Sequence, residues 1–271
     1  MKRSLKWIAP ALAVALALPL TAQAHKFWLL PSQTVLSGGH DNWITVDAAV
    51  SNDLFYFNHH ALGLDELRIT GPDGAEVKAE NEHTAKWRST FDVHLTRDGT
   101  YKLAVAGDGL FATYELDGER KRWRGDADSL DKIPAAAKNV KVTQSARRLE
   151  SFVTVGKPTR EVLATTGKGL ELDPETHPND LYADEAATFR LLLDGKPVSG
   201  VEVTVIPGGT RYRDAQEAIT VTTAKDGSFS ITWPRAGMYW MNATYSDGKA
   251  TIKPATERRA SYVATLEVLP L

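Results

Sequence analysis

Histidine is the residue type whose number and placement in this sequence point to chemistry. Seven occur, and six of them, His25, His40, His59, His60, His83 and His94, fall in the first half. Imidazole nitrogens suit borderline divalent ions: copper(II), nickel, cobalt and, less selectively, zinc. His25 is placed to offer more than a ring. Lys2, Arg3 and Lys6 precede an apolar run from Ile8 to Leu20, and Ala22-Gln23-Ala24 supplies a small-x-small end. That is the pattern of a secretory signal peptide over residues 1–24, since a spanning helix needs about 20 apolar residues. Cleavage after Ala24 leaves His25 as the N-terminal residue. Its α-amine, with a pKa of about 8, is far easier to deprotonate than a lysine, so amine and ring Nδ1 can hold one ion together. A further imidazole completes a three-nitrogen histidine brace.

The third residue after cleavage is Phe27, so the short N-terminal copper/nickel motif that needs His there is absent and any site must recruit distant ligands. His59-His60 is the favoured partner. It follows Leu54-Phe55-Tyr56-Phe57-Asn58 and precedes Ala61-Leu62-Gly63, a stretch read as a long loop. On a regular strand the two rings would point to opposite faces, whereas a loop can aim both at one ion. The competing reading is a surface pair at a strand end. His40, in Gly38-Gly39-His40-Asp41-Asn42, is a further candidate or a solvated turn residue. His83 and His94 read as surface residues of a hairpin, and His177, before Pro178, as a loop residue. Asp47 and Asp53 are candidates for oxygen ligands or for orienting an imidazole.

Other chemistries lack their residues. With no Cys, thiolate catalysis and thiolate metal sites are excluded, and only Met238 and Met241 follow the leader, too few for a thioether-rich copper(I) site. No Gly-x-Ser-x-Gly elbow, His-Glu-x-x-His pair, phosphate-binding Gly-rich loop or calcium loop is present. Loss of Lys2, Arg3 and Lys6 leaves 29 Lys and Arg against 34 Asp and Glu. A modestly acidic chain is a poor partner for nucleic acid or an anionic membrane. No later stretch is long and apolar enough to span a membrane. Lys121-Arg122-Trp123-Arg124 is a small basic and aromatic patch, read as an exposed hairpin tip or as a dock for an acidic partner.

The elements that must position these residues are strands. Trp43 to Val50 alternates, with Ile44, Val46, Ala48 and Val50 on one side, and the same period returns at Leu67 to Thr70 and Phe91 to Leu95. Asp-Gly pairs at 73–74, 98–99, 117–118, 194–195, 226–227 and 247–248 punctuate the runs and supply the positive φ of tight hairpins. Short strands with frequent turns imply an all-β fold of sandwich type, with one short helix in the Ala-rich segment 126–138.

An internal echo refines that expectation. Phe91 is followed by Gly99 and Tyr101, and Phe229 by Gly237 and Tyr239 at the same offsets. This implies two related units, each with a corner needing Gly and a Tyr whose hydroxyl bonds nearby. Breakers at 165–169 and 173–178 place a linker or crossing loop at 166–180, between an N-terminal sandwich (25–165) holding the His-rich site and a C-terminal sandwich (181–271). The Gly195-Lys196-Pro197-Val198 turn and the Asp226-Gly227-Ser228-Phe229 segment leading to Gly237-Met238-Tyr239 resemble the transthyretin-like or carboxypeptidase-regulatory module.

Ala24-His25-Lys26-Phe27-Trp28-Leu29-Leu30-Pro31, Val46 to Asp53, Phe55 to His60, Gly71 to Gly74 and His177-Pro178-Asn179-Asp180-Leu181 together resemble an uncharacterised exported bacterial family. That family, a domain of unknown function, is labelled as the periplasmic component of cobalt/nickel transport (NikM-like). The resemblance spans nearly the whole chain after residue 24 and carries His25 over first.

The expectation is a non-enzymatic periplasmic protein that binds nickel, cobalt or copper, with zinc also accommodated, and passes the ion to a membrane importer or outer-membrane receptor system. His25, His59, His60 and His40 are the expected ligands. Two alternatives stand beside it: a metal-independent sandwich module for a glycan, peptide or outer-membrane receptor, and a copper-brace oxidoreductase.

Overall fold

The computed structural model describes residues 25–39 and 41–271; residues 1–24, expected as a signal peptide, and His40 lie outside the described residues. Among the described residues the fold is all-β, in three sheets. A small antiparallel sheet runs Lys26–Pro31, Asn42–Ser51, Ser89–Leu95, Glu80–Thr84, with His60–Ala61 beside Asn42–Ser51. A second small sheet joins Leu170–Pro174, Ala186–Leu193, Lys196–Pro197 and Ser228–Thr232. Between them lies a ten-stranded sheet that draws on both halves of the chain.

The central sheet is made continuous by one parallel contact, Lys138–Val155 beside Glu257–Val268. Because side chains alternate along a strand, each of these strands serves two cores. Leu149, Val153, Val155 and Val263 face the first small sheet, with Trp28, Ile44, Phe91 and Leu103. Phe152, Tyr262, Ala264 and Leu266 face the second, with Phe189, Trp233, Tyr239 and Met241. The two sandwiches therefore share their middle layer and sit on opposite faces of it. Strands covered on both sides carry near-continuous apolar sequence, as Tyr262-Val263-Ala264-Thr265-Leu266 does.

Residues 166–180, expected as a linker or crossing loop, contain the strand Leu170–Pro174, built into the second small sheet. Its Glu171 is buried, a burial that requires partners for the charge. The carboxylate accepts from the Thr166 amide and hydroxyl at 2.8 Å and the Gly167 amide at 2.7 Å, and pairs with Arg148 at 3.4 Å. The helical element expected in 126–138 is the short 3-10 turn Ala127–Lys132, which helps cover a small third core around Leu110, Ala112 and Val142.

The two Gly–Tyr corners are built alike. Gly99 and Gly237 take φ of 121° and 136°, a backbone closed to L side chains without strain. Tyr101 and Tyr239 are buried, and each donates its hydroxyl to the carbonyl four residues earlier, Arg97 at 3.0 Å and Arg235 at 2.7 Å. Burial raises both phenols above the ordinary tyrosine range. Because the geometry matches, Tyr101→Phe and Tyr239→Phe should each lower the unfolding free energy by about 1 kcal/mol, the worth of a typical internal hydrogen bond, as read by urea denaturation.

Candidate metal centre

Strand Lys26–Pro31 is the edge of the first small sheet, and its antiparallel register sets Lys26 opposite Ser51 and Phe27 opposite Val50. On the other side of its partner strand Asn42–Ser51, His60 pairs with Val50 and Ala61 with Ala49. His25 and His60 thus flank the end of one strand. The chain between Ser51 and His60 folds back over that end and delivers His59 between them.

That loop is held by side chains rather than by regular backbone pairing. Asn58 closes it: its amide oxygen accepts from the Ser51 hydroxyl and from the Asn52 amide at 3.1 Å, its Nδ2 donates to Asp53 at 2.7 Å, and its own N–H donates to Ser51 Oγ at 3.2 Å. Phe55 sits at φ 57°, an uncommon conformation for a bulky residue that packing must hold in place. Its ring meets Trp28 edge-on at 5.6 Å between centroids, and Phe57 packs on the same indole at 6.4 Å. Phe55 also lies against Gly208, where an added Cβ would sit 3.2 Å from the ring and 3.0 Å from the Met238 carbonyl. Arg211 stands 3.8 Å over the Tyr56 ring. The loop is therefore clamped between the N-terminal core and a loop of the C-terminal half.

The strand beneath is tied to the same half. Trp240 Nε1 donates to the Phe27 carbonyl at 3.0 Å, satisfying a backbone acceptor that an edge strand would otherwise expose. Arg147 lies over the Phe27 ring at 5.5 Å.

On this frame His25 and His59 stack, with ring centroids 3.9 Å apart and planes 16° from parallel. His60 lies 4.7 Å from His59, tilted by 49°. His60 Nδ1 is 2.7 Å from the Ala61 carbonyl, which can only accept, so Nδ1 carries the proton and a neutral ring keeps its lone pair on Nε2. Desolvation, then the neighbouring His25 and His60 rings, hold His59 below the ordinary histidine value. Lys26 is buried next door, and burial pulls its amine below the usual lysine range against the opposing pull of Asp53.

Stacked rings have parallel in-plane lone pairs. As they stand, no group of three or more His, Asp or Glu among the described residues is in position to hold an ion. The donor set nevertheless fits a borderline metal, and His25 and His60 are exposed. In the chain as it stands the His25 nitrogen is a peptide amide.

The remaining candidates lie apart from this cluster. His83 is exposed on the outer strand Glu80–Thr84. His94 stacks on Trp43 at 4.2 Å and bonds Asp41 at 3.0 Å. Asp47 pairs with Arg88 at 3.3 Å, and Asp53 serves the loop through Asn58. His177 is buried where the halves meet, its Nε2 2.9 Å from the Thr159 carbonyl and 3.1 Å from Thr100 Oγ1, its Nδ1 accepting from the Asn179 amide at 3.1 Å. Sequence reading missed Asn58, Phe55 and Trp240 as the parts that aim the imidazoles; Asn58 carried the one available signal, a turn-forming residue directly before the His pair.

A family model described as a domain of unknown function (DUF4198) matches residues 22–247. No curated protein matches the chain. Among solved structures it is similar to the D0-D1 domain of intimin, at 11% identity over 89% of this chain and 97% of that one, TM-score 0.22. The Yersinia pseudotuberculosis adhesin InvE gives 12% identity over 89% and 58%, TM-score 0.22. The chicken CNTN1 FN1-FN3 domains give 8% over 89% and 98%, TM-score 0.24. Scores this low carry no argument about function.

His59 supplies a direct check on the cluster. Its lowered pKa means that folding favours the neutral ring; that contribution is complete above about pH 6.5 and is lost as the pH falls through the folded-state value. In 1H–15N imidazole spectra, His59 should titrate below about pH 6.5 and move back toward it in His25→Ala.

Proposed function

Because the chain belongs to the DUF4198 family, a domain of unknown function, its role must be argued from its own residues, and we propose that it captures a divalent transition-metal ion. Nickel, cobalt and copper(II) are the favoured ions and zinc is accommodated. The observation that supports this reading is the meeting of His25 with His59 and His60, from two separate segments, beside a loop clamped between the two halves of the chain. In this reading residues 1–24 are removed on export to the periplasm, and the new amine and ring of His25 join Nε2 of His60 and the ring of His59. Binding turns the His25 ring off the face of His59 so that the lone pairs converge. The carrier, which is not an enzyme in this reading, then passes the ion to a membrane importer or outer-membrane receptor system. The cobalt/nickel label of the resembling family agrees with that role.

The low pKa of His59 keeps one ligand neutral further into acid than an ordinary histidine would be. Isothermal titration of the cleaved protein with nickel, cobalt, copper(II) and zinc tests the reading. Binding of at least one ion should weaken by on the order of tenfold or more in His25→Ala and in His59→Ala, and in the uncleaved chain, while His83→Ala changes nothing measurable. Equal binding by the wild type and His25→Ala would sink the proposal.

A further inference from the structure

The strands Gly99–Leu116, Glu119–Gly125 and Lys138–Val155 run beyond the first small sheet as a three-stranded arm. One face of the arm is closed by its own small core, where Leu110, Ala112 and Val142 are covered by Trp123, Ile133 and Ile252. The other face is open, and the register assigns it an excess of positive charge. Arg120 is level with Glu115 and Lys138, and Arg122 with Thr113 and Lys141. Arg124 is level with Phe111 and Thr143, and Arg147 follows on the same side because it is in phase with Leu149 and Val153. Arg259, level with Ser145, extends the row onto the next strand. Three carboxylates, Glu66, Glu115 and Glu257, interrupt these seven cations. Among the described residues none of the seven cations forms an ion pair.

Crowding is felt within the face. Arg147 is pushed below the usual arginine range by desolvation and then by the like charge of Arg124, with Glu66 opposing. A chain that carries net negative charge after residue 24 thus concentrates unpaired cations on one rigid surface. The shape selects among anions. The first small sheet stands on the same side of the central sheet, a step of about 10 Å, so the basic face is a ledge at its foot. Arg147, on the ledge, touches Phe27, two residues along the edge strand from His25. A flat bilayer would rest on the step and miss the ledge, whereas a convex surface can seat in it.

We propose that this ledge docks an acidic, carboxylate-rich surface of a protein partner, and that docking brings the partner to the His25, His59 and His60 cluster. The proposal extends the metal-carrier reading by giving the recipient's surface chemistry, and its test uses no metal, so either can fail alone. Fluorescein-labelled poly-L-glutamate is titrated with the exported protein and followed by anisotropy at low and raised salt. Binding should weaken as salt screens the charges, and an R120E/R122E/R124E triple variant should bind about tenfold more weakly or worse. A control triple, K157E/K196E/K225E, changes net charge equally away from the ledge and should leave binding nearly unchanged. Thermal unfolding checks that the variants fold, and an Arg→Gln triple replaces the reversal if it does not. Equal losses in the two triples, no binding by the wild type, or tighter binding to phosphatidylglycerol vesicles than to polyglutamate would each overturn the proposal.

Discussion

The parallel contact between Lys138–Val155 and Glu257–Val268 is the constraint on which the architecture depends. It joins the central sheet across the two halves and obliges both strands to bury side chains on both faces where the sandwiches overlap. Where that double cover stops, toward Thr143 and Lys141, the same strand turns polar and basic. The core and the charged ledge are therefore successive stretches of one strand, distinguished by what lies above them. A charge reversal near Leu149 would be a core lesion; four residues or more toward the arm it becomes a surface change.

The histidine cluster inherits its rigidity from that arrangement. Its backbone has few regular hydrogen bonds, because residues 52–59 leave the sheet. Order comes instead from an asparagine that bridges the loop, from two phenylalanines against one buried tryptophan, and from contacts with the Gly208 to Arg211 segment. Each of those contacts reaches a different part of the molecule. Such a loop fixes where the imidazoles stand while leaving His25 and His60 exposed to solvent.

Much of this was legible along the chain because it is local. The alternation in Trp43 to Val50 forms a strand, and Asp117-Gly118 and Asp194-Gly195 take the paired positive φ of tight hairpin turns. The repeated Phe–Gly–Tyr spacing builds the same corner twice. His25, His59 and His60 were singled out as candidate ligands, and what the structure adds is that their rings lie in contact; His40 lies outside the described residues. What could not be read locally depends on pairing over long separations. The breakers between 166 and 180 suggested loose chain, yet Glu171 finds four turn donors and its strand is buried. Lys121 to Arg124 looked like a contiguous patch. The sheet sorts it by alternation, sending Arg122 and Arg124 to one face and Trp123 to the other.

The tie between Trp240 and the Phe27 carbonyl spans 213 positions of the chain, and Thr34 reaches Glu267 over 233. The strand Lys26–Pro31 and the turn after it thus rest against residues made much later in the chain. Contacts of such separation must wait for the intervening polypeptide and close a very large loop, which slows them relative to the local hairpins. The strand that follows His25 finds its final seat only once Trp240 has been made, so a chain cut short before it would lack the finished frame of the histidine cluster.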